Sequence, residues 1–296
     1  MELRILNYFL MVAREENITK AAQLLHVTQP TLSRQLMQLE EELGVKLFHR
    51  SNHSIVLTNE GMLLKRRAQE IVALADKAKK ELIFDEDSLS GEIGIGCGEL
   101  QSMGELSNIL TGFREKHPLV TYNLYSGSSD GIKERLERGT LDLGLLLEPV
   151  DIGKYEFTRM RRKEEWGVLV PEESPLALKD HVHPEDLIGI PLLISSRNPI
   201  LNELASWFGN YANQIEHVIS YNLLYNSAIM VQKGAGVALC LKLDCKYDGL
   251  RFVPLSPKLE LSSVLAWKEH QIFSQATTAF IQFANKYIQD ISNDVI

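Results

Sequence analysis

Apolar residues between positions 21 and 44 recur at helical spacing and divide this stretch into two short helices. Four leucines follow one another at intervals of four, three and four residues, namely Leu32, Leu36, Leu39 and Leu43. That spacing places them on one face of a helix. A shorter apolar group precedes them and consists of Ala21, Ala22, Leu24 and Leu25. Its two alanines allow a close helix crossing, so the pattern predicts a helical hairpin.

The residues at the predicted helix ends fit this interpretation. Thr19 and Thr28 are placed to be the N-caps, because a side-chain oxygen there accepts a free backbone N–H of the first turn. Pro30 is tolerated only in a first turn, where its missing N–H removes no helical hydrogen bond. His26 is predicted at the bend in a left-handed conformation, and Gly44 is predicted to end the second helix.

The polar face of the second helix is uncharged or basic, as needed for side chains that enter the major groove of DNA. It comprises Gln29, Thr31, Ser33, Arg34, Gln35 and Gln38. Glutamine can read adenine and arginine can read guanine through paired hydrogen bonds, and the hydroxyls suit phosphate contacts. The acidic run 40–42 lies beyond this zone, where acid is tolerated. The pattern leaves open the alternative of an ordinary helical hairpin with a solvated face.

Charge and composition alone do not point to DNA. The 296-residue chain has a formal net charge of −8 and 45% hydrophobic residues, which is typical of a globular protein with two or three compact units. Residues 1–58 carry six basic and six acidic side chains, so the predicted DNA-binding segment is neutral. An odd number of cysteines, no signal-like start and no long apolar run favour a cytoplasmic protein with no membrane partner.

A longer helix is predicted from Asn59 to about Phe84, with Thr58 as its N-cap. Its apolar positions alternate by four and three residues and comprise Leu64, Ala68, Ile71, Ala75, Ala78 and Leu82. A single helix cannot bury such a seam alone, so it packs either against a second copy of the chain or against the chain's own body. The polar cluster 85–91 follows as a predicted hinge.

Beyond this hinge, short apolar runs alternate with helical stretches, which is the pattern of parallel βαβ units. The predicted strands cover 92–98, 120–125, 141–147 and 166–171, and the predicted helices cover 103–116, 131–138 and 272–290. We therefore expect an α/β domain after the linker helix.

The first 60 or so residues resemble the DNA-binding domain of the LysR-type transcriptional regulators. The resemblance rests on the double alanine and on the segments 27–33, 39–44, 45–50 and 57–61. It implies a winged helix-turn-helix over residues 1–58. With the helix cap and the wing included, the residues expected at DNA are Thr28, Gln29, Pro30, Thr31, Ser33, Arg34, Gln35, Gln38, Arg50 and His53.

The wing departs from the family pattern. Family wings commonly carry several arginines, whereas residues 51–56 here read Ser-Asn-His-Ser-Ile-Val. Because each neutralised phosphate adds affinity, we expect weaker non-specific DNA binding than a basic wing would give.

The remainder of the chain resembles the effector-binding domain of the same family, although less densely. The matching segments are 113–118, 139–144, 170–176 and 234–238. The resemblance implies a linker at 59–90 and a regulatory domain at 91–296 with two α/β lobes, like a periplasmic solute-binding protein. Lobe one is expected at 92–163 plus 266–296, and lobe two at 164–265.

A small-molecule effector is expected where the strand ends of the two lobes face each other. The lining implied by the resemblance comprises Glu99, Leu100, Gln101, Ser102, Ser128, Ser129, Glu148, Ser196 and Arg197. Glu99 stands where family members often have Ser or Thr, and its carboxylate would repel an anion. We hypothesise a neutral or cationic effector, or a Glu99 side chain that turns outward.

Signals of other chemistry are weak in this sequence. The glycines at 94, 96 and 98 lack the spacing of a dinucleotide fingerprint, and His181 and His183 have no accompanying ligand framework. Cys240 and Cys245 do not form a Cys-x-x-Cys pair, and Cys97 is a weak candidate for a thiol sensor. We expect no enzymatic activity, no cofactor and no metal.

The sequence therefore predicts a DNA-binding transcriptional regulator that senses a small molecule. Its expected partners are double-stranded DNA, the effector and further copies of itself, in a homodimer or homotetramer formed through the linker helix. RNA polymerase is a further candidate partner. The alternative is a solute-binding or enzymatic α/β protein with an appended helical dimerisation segment.

Overall fold

The computed structural model describes residues 1–50, 55–81 and 89–293, and the chain divides into two compact units, Met1–Ile83 and Phe84–Ile296. The first unit contains the helices α1 (Leu3–Glu15), α2 (Ile18–Leu24) and α3 (Gln29–Leu43), the strands β1 (Phe48–Arg50) and β2 (Ile55–Leu57), and the long helix α4 (Asn59–Glu81). The predicted helical hairpin is confirmed. The end of the predicted long helix and most of the predicted hinge lie outside the described residues.

The apolar face of α3 packs into one core with α1 and α2. Leu32, Leu36 and Leu39 are at most 1% exposed. Two expected core positions are wrong, since Leu24 is 48% exposed and Leu43 is 38% exposed. Each is the last residue of its helix, beyond the turns that pack against the core.

Most of the predicted helix ends are confirmed. The hydroxyl oxygen of Thr28 accepts a hydrogen bond from the backbone N–H of Thr31 at 3.4 Å, which caps α3. His26 and Gly44 have φ angles of 54° and 68°, so both adopt the left-handed conformation that their positions require.

The N-cap of α2 corrects one prediction. The side-chain oxygen of Asn17, not that of Thr19, accepts the free backbone N–H of Lys20 at 2.9 Å. Helix α2 begins at Ile18, so Thr19 is already inside the first turn and cannot cap it.

Helix α4 is fixed to the first unit at its start. The hydroxyl of Thr58 donates to the carbonyl oxygen of Lys46 at 2.7 Å and accepts from the N–H of Gly61 at 2.9 Å, which confirms the predicted cap. A Cβ added at Gly61 would come within 2.1 Å of the carbonyl oxygen of Leu47. The close approach of this helix to the preceding strand segment therefore requires glycine.

The apolar positions predicted along α4 are buried at the start of the helix and exposed further along it. Ala68 is fully buried and Leu64 packs against the same core, so the chain's own body covers the start of the seam. Ile71 and Leu74 are 39% and 46% exposed. Four exposed apolar positions fall within one arc of the helix surface, which we call the α4 apolar strip: Leu63, Ile71, Leu74 and Ala78.

The second unit has the predicted α/β composition. Its strands are β3 (Gly91–Cys97), β4 (Val120–Ser126), β5 (Leu143–Leu147), β6 (Tyr155–Arg159), β7 (Glu164–Pro171), β8 (Pro191–Ser195), β9 (Glu216–Tyr221), β10 (Val237–Leu241), β11 (Leu250–Pro254), β12 (Glu260–Leu261) and β13 (Ser263–Lys268). Its α-helices are α5 (Met103–Lys116), α6 (Ser129–Glu137), α7 (Asn198–Phe208), α8 (Leu224–Gln232) and α9 (Gln275–Asn293), and short 3₁₀ helices lie at Pro175–Leu178, Pro184–Leu187 and Gly209–Gln214.

These strands form two sheets, each the centre of one lobe. Lobe one has the strand order β4-β3-β5-β13-β6, and lobe two has the order β11-β7-β10-β8-β9, with β12 paired to β7. Strand β3 pairs in parallel with β4 and β5, and β8 pairs in parallel with β9 and β10, as expected of βαβ units.

Antiparallel strands carry the chain between the two lobes. Strand β13 runs antiparallel to β5 and β6, and β7 runs antiparallel to β10 and β11. The chain enters lobe two at Glu164, where β7 begins, and returns to the first sheet at Ser263, where β13 begins. The sequence placed the return at residue 266. None of the helices in the described part of the chain is long and apolar enough to cross a bilayer.

Candidate DNA-binding surface and ligand cavity

The polar residues predicted at DNA lie on the outer side of α3. The exposed members are Thr28, Gln29, Pro30, Arg34 and Gln38, and the half-buried members are Thr31, Ser33 and Gln35. Because residues four apart nearly align on a helix, Pro30, Arg34 and Gln38 form a line opposite the buried leucines. Arg34 makes no hydrogen bond or ion pair with any residue that the structure describes, so its guanidinium faces solvent.

Two side-chain hydrogen bonds order this surface. Nε2 of Gln35 donates to Oε1 of Gln38 at 3.1 Å, and the hydroxyl oxygens of Thr28 and Thr31 lie 2.8 Å apart. Both pairs are at the solvent-facing side of the helix. Each can therefore exchange its partner for a base edge or a phosphate oxygen.

A two-stranded wing follows α3. Strands β1 and β2 are antiparallel, and Phe48 lies opposite Leu57 while Arg50 lies opposite Ile55. The side chain of Arg50 and all of residues 51–54, including His53, lie outside the described part of the chain.

Glu40 joins α3 to the wing, a role that sequence reasoning missed. Its side chain is 2% exposed, and Oε1 accepts from the N–H of Leu47 at 2.9 Å and from the N–H of Phe48 at 3.2 Å. Lys46 Nζ lies 3.0 Å from Oε2. Burial alone raises the pKa of Glu40, but the hydrogen bonds from Leu47, Lys46 and Phe48 outweigh burial and hold that pKa below its ordinary value.

Sequence reasoning placed the acidic run 40–42 beyond the zone of DNA contact, where acid is tolerated, and did not foresee that Glu40 is buried. The available signal was its spacing, because Glu40 follows the buried Leu36 by four residues and so lies at the edge of the apolar face. A carboxylate at such a position is buried only when donors meet it. Those donors come from residues 46–48, which lie beyond the end of the helix and outside its pattern.

A cavity opens between the two lobes of the second unit. Its empty volume is about 580 Å³, a figure that includes the open space at the mouth. Lobe one supplies the loop after β3, the start of α6 and the end of β5, and lobe two supplies β7, β10 and the starts of α7 and α8. Much of the lining is aliphatic, and we call this part the apolar wall: Leu100, Leu147, Ile200, Leu224, Leu241 and Leu243.

The structure brings some of the predicted effector residues together and leaves others apart. Those that line the cavity are Glu99, Leu100, Ser128, Ser129 and Arg197. Those that do not are Gln101, Ser102, Glu148 and Ser196. Sequence reasoning missed Trp166 and Tyr221, which also line it, because no motif marks them.

The four residues outside the lining have other partners or face solvent. Gln101 donates its side-chain amide to Asp244 at 3.1 Å, and Glu148 pairs with Arg159 at 2.9 Å. Ser196 is exposed. Ser102 is fully buried beneath the cavity, where its hydroxyl lies 2.6 Å from that of Ser263 and also bonds Glu164.

Glu164 ties the lobes together where the chain crosses between them. It is fully buried at the first position of β7 and accepts from the N–H groups of Gln101 at 2.7 Å and Ser102 at 3.0 Å. The hydroxyl of Ser263, at the return crossing, lies 3.3 Å from the same carboxylate. One carboxylate therefore contacts the start of α5 and both crossing strands.

Glu99 reaches across the cavity instead of turning outward. Its Oε2 accepts a hydrogen bond from the N–H of Leu224, the first residue of α8. The N-cap residue of α8, Leu223, offers no side-chain acceptor. A carboxylate of lobe one thus occupies the positive end of a lobe-two helix.

Arg197 spans the lobes in the opposite direction. It is 8% exposed and precedes α7 in lobe two, while its guanidinium contacts lobe one. Nη1 donates to the carbonyl oxygen of Leu147 at 3.4 Å, Nη2 donates to that of Pro149 at 3.3 Å, and Asp130 lies 3.6 Å from Nε. Burial lowers the pKa of Arg197 more than Asp130 raises it.

Two buried donors of this cavity make no hydrogen bond, although Nε of Arg197 forms an ion pair with Asp130 at 3.6 Å. Within the described residues, Nε1 of Trp166 and Nε of Arg197 are the buried side-chain nitrogen or oxygen atoms that make no hydrogen bond. The indoles of Trp207 and Trp267, by contrast, donate to Pro257 at 2.6 Å and to Glu156 at 2.8 Å. A buried donor without a partner is uncommon and costs free energy, so both atoms mark a place for an acceptor.

The other candidate chemistry gains no support from the described residues. They contain no group of three or more His, Cys, Asp or Glu that could hold a metal ion. Burial raises the pKa of Cys97 to about 12, which disfavours the reactive thiolate. Gly96 and Gly144 lie beneath α6, where an added Cβ would meet Ile132 at 2.5 and 2.7 Å. Close packing of helix on sheet therefore explains these glycines.

Comparison with protein families matches both units. Residues 3–62 match the model described as bacterial regulatory helix-turn-helix protein, lysR family, and residues 86–289 match the LysR substrate binding domain. The HTH-type transcriptional regulator IlvY of Escherichia coli K12 is 30% identical over 245 residues, which cover 81% of this chain and 81% of that protein. The Hca operon transcriptional activator HcaR of the same strain is 32% identical over 284 residues, which cover 92% of this chain and 93% of that protein.

A solved structure shares the fold along most of the chain. Full-length CbnR complexed with its target DNA has a TM-score of 0.77 at 20% identity, with 97% of this chain and 100% of that chain covered. At that identity the likeness concerns the fold alone.

Proposed function

This chain belongs to the LysR family of bacterial transcriptional regulators, and from that premise we propose which surfaces carry its two activities. Helix α3 reads base edges in the major groove of DNA, and the cavity between the lobes holds a small-molecule effector. The alternative of a solute-binding or enzymatic protein is disfavoured, because the relatives that match most of the chain are transcriptional regulators.

The DNA-binding part of the proposal rests on the position of Arg34. It lies at the centre of the outer side of α3 with its guanidinium in solvent. A guanidinium in a major groove can donate two hydrogen bonds to guanine, and the exposed amides of Gln29 and Gln38 can bond adenine. Thr28 and Thr31, at the N-terminal end of the helix, suit a phosphate.

The test is a gel shift with the full chain on double-stranded DNA from upstream of its own gene. Arg34→Ala is expected to weaken specific binding about 5- to 150-fold, the value of one paired base contact. Arg251→Ala is the matched control, since it removes an exposed arginine from the second unit. Unchanged affinity of Arg34→Ala would refute base reading by this residue.

The effector half rests on contacts that join the two lobes across the cavity. Glu99 holds the start of α8 from lobe one, and Arg197 holds lobe one from the start of α7. A molecule bound between them changes how strongly each degree of lobe closure is favoured, because it binds one arrangement better than another. We propose that this shift in closure alters DNA binding.

Self-association is proposed along the α4 apolar strip. Leu63, Ile71 and Leu74 are each more than a third exposed, and the start of the helix is already covered by α1. A second copy of the same helix can bury this strip, as apolar seams of paired helices do.

A further inference from the structure

We propose that the effector is a monocarboxylate with an apolar body, bound through its carboxylate to Arg197 and Trp166. The inference rests on the proposed effector function of the cavity and adds the chemical class of the ligand. It depends on the donors that the cavity leaves unfilled and on the position of one acid in its wall.

The buried side-chain atoms of the cavity that make no hydrogen bond are both donors. These two N–H groups are the only such buried atoms among the described residues, and both belong to residues that line this cavity. Trp166 is 2% exposed and Arg197 is 8% exposed, so bulk water has little access to either group. The ligand therefore has to bring acceptors.

A carboxylate fits these donors better than a neutral group does. It offers two oxygens with about four lone-pair sites, whereas an amide offers one oxygen and brings two donors of its own. Arg197 also carries a charge, and its acidic neighbour Asp130 has a side chain that is 65% exposed and lies 3.6 Å away. Charge-assisted hydrogen bonds are about twice as strong as neutral ones, so an anion gains more here than its amide.

The rest of the cavity fits an apolar body. The six side chains of the apolar wall form a third of the lining, and the hydroxyl of Ser129 is already used by the N–H of Leu147 at 3.2 Å. Tyr221 donates its hydroxyl to the carbonyl oxygen of Leu239 at 2.7 Å. A branched aliphatic or aromatic body would gain burial there without leaving these groups unpaired.

Glu99 excludes a second carboxylate. The N-terminus of α8 would be a natural anion site, but the chain's own carboxylate bonds Leu224 there. A dicarboxylate that spans the cavity would place like charges together. The hypothesis of a neutral or cationic effector was based on Glu99 alone. The cationic side chain of Arg197 allows the effector to carry one negative group.

The tryptophans allow a direct test by NMR of the full chain labelled with ¹⁵N-tryptophan. The chain has three tryptophans, and the indoles of Trp207 and Trp267 are bonded within the protein and serve as internal controls. Isovalerate and benzoate are compared with isovaleramide, benzamide and benzylamine. We expect the acids to move the Trp166 indole N–H signal saturably, with at least tenfold tighter binding than their amides, while the other two signals stay in place.

Five variants sharpen this experiment. Trp166→Phe keeps an aromatic ring, identifies the signal and should weaken the acids about three- to tenfold by calorimetry. Arg197→Gln should weaken the acids at least tenfold and leave the amides nearly unchanged, Arg197→Lys should keep part of the affinity, and Arg159→Gln, on the surface pair with Glu148, is the matched control. Glu99→Gln should raise the affinity for terephthalate relative to benzoate about tenfold.

The other possible results separate a failure of the carboxylate proposal from a failure of the proposed effector site. Amides or benzylamine that move the Trp166 signal as strongly as the acids would overturn the carboxylate and leave the cavity as an effector site. No response of Trp166 to any probe would overturn both the carboxylate and the proposed effector site. DNA binding by the same sample, with Arg34→Ala, reports independently on the regulator function.

Discussion

The proposed DNA-binding surface is built from one stretch of the sequence, whereas the proposed ligand cavity is built from many. The outer side of α3 comes from one stretch, residues 28–38, so that a single helical period collects its side chains. The cavity collects residues from Gly98 to Leu243, on both sheets and at several helix starts. A local pattern therefore shows the first surface and conceals the second.

In each unit, however, a buried carboxylate makes contacts that a local pattern does not show. Glu40 accepts two backbone N–H groups from the start of the wing, and Glu164 accepts two from the start of α5. Glu40 joins α3 to the segment that begins the wing, and Glu164 joins β7 to the start of α5, about 60 residues earlier in the chain. The outer side of α3, which we propose to contact DNA, is thus encoded locally, whereas the attachment of α3 to the rest of its unit is not.

The largest effect is expected when the attachment of α3 to the wing through Glu40 is removed. Glu40→Ala should destabilise the first unit by about 3 kcal/mol, because two buried N–H groups lose a charged acceptor. Hydrogen exchange measured on the full chain should accelerate in peptides from α3 and β1, while peptides from β7 keep their rates. Glu41→Ala, an exposed neighbour, is the control and should exchange like the wild type.

The same carboxylate predicts a pH dependence of the first unit. Folding holds the pKa of Glu40 below its ordinary value of 4.5, so its stabilisation is present above pH 4.5 and is lost as the pH falls through the lowered folded pKa. Glu40→Gln should therefore flatten the acid side of the stability curve. An unchanged acid limb would show that Glu40 does not titrate with folding.

A smaller effect sharpens the contrast by changing DNA binding alone. Asn52→Arg with Ser54→Arg should steepen the salt dependence of DNA affinity by up to about 1.8 in the log–log slope, since each added phosphate contact contributes about 0.9. Between fourfold different salt concentrations this amounts to at most about a twelvefold difference in affinity. The response of Trp166 to benzoate should be the same in this variant. An unaltered slope would contradict a wing close to the DNA backbone.

The smallest effect concerns the corrected helix cap. Asn17→Ala should cost about 1 kcal/mol, because the N–H of Lys20 loses its acceptor. Thr19→Ala should be neutral or slightly stabilising, since alanine is the better residue inside a helix. Equal losses in thermal unfolding of the two variants would restore Thr19 as a cap.

Much of the fold followed from periodic patterns, and the errors have physical causes. Leu32, Leu36 and Leu39 were found from spacing, but Leu43 repeats that spacing beyond the end of the packed region. The βαβ units and the strand at 166–171 were visible as alternating runs. The antiparallel direction of β7 and the strand β13 were not, because strand direction depends on which edge of a sheet receives the chain.

The ligand site shows the same limit at the level of single residues. Glu99 and Arg197 were named from resemblance, but their orientation across the cavity depends on Leu224 and Leu147, which come from the other lobe in each case. Trp166 carries no motif, and only the tertiary structure shows that its buried N–H makes no hydrogen bond with any described residue.

The sequence by itself determined the helical hairpin, the polar outer side of α3 and the α/β character of the second unit. These features repeat within one element, so neighbouring residues are enough to specify them. Only the tertiary structure decided that Glu40 is buried, that Glu99 closes the end of α8 and that two buried donors of the cavity make no hydrogen bond with any described residue. Burial and hydrogen bonding depend on contacts between residues that are distant in sequence, and a local periodic pattern contains no information on such contacts.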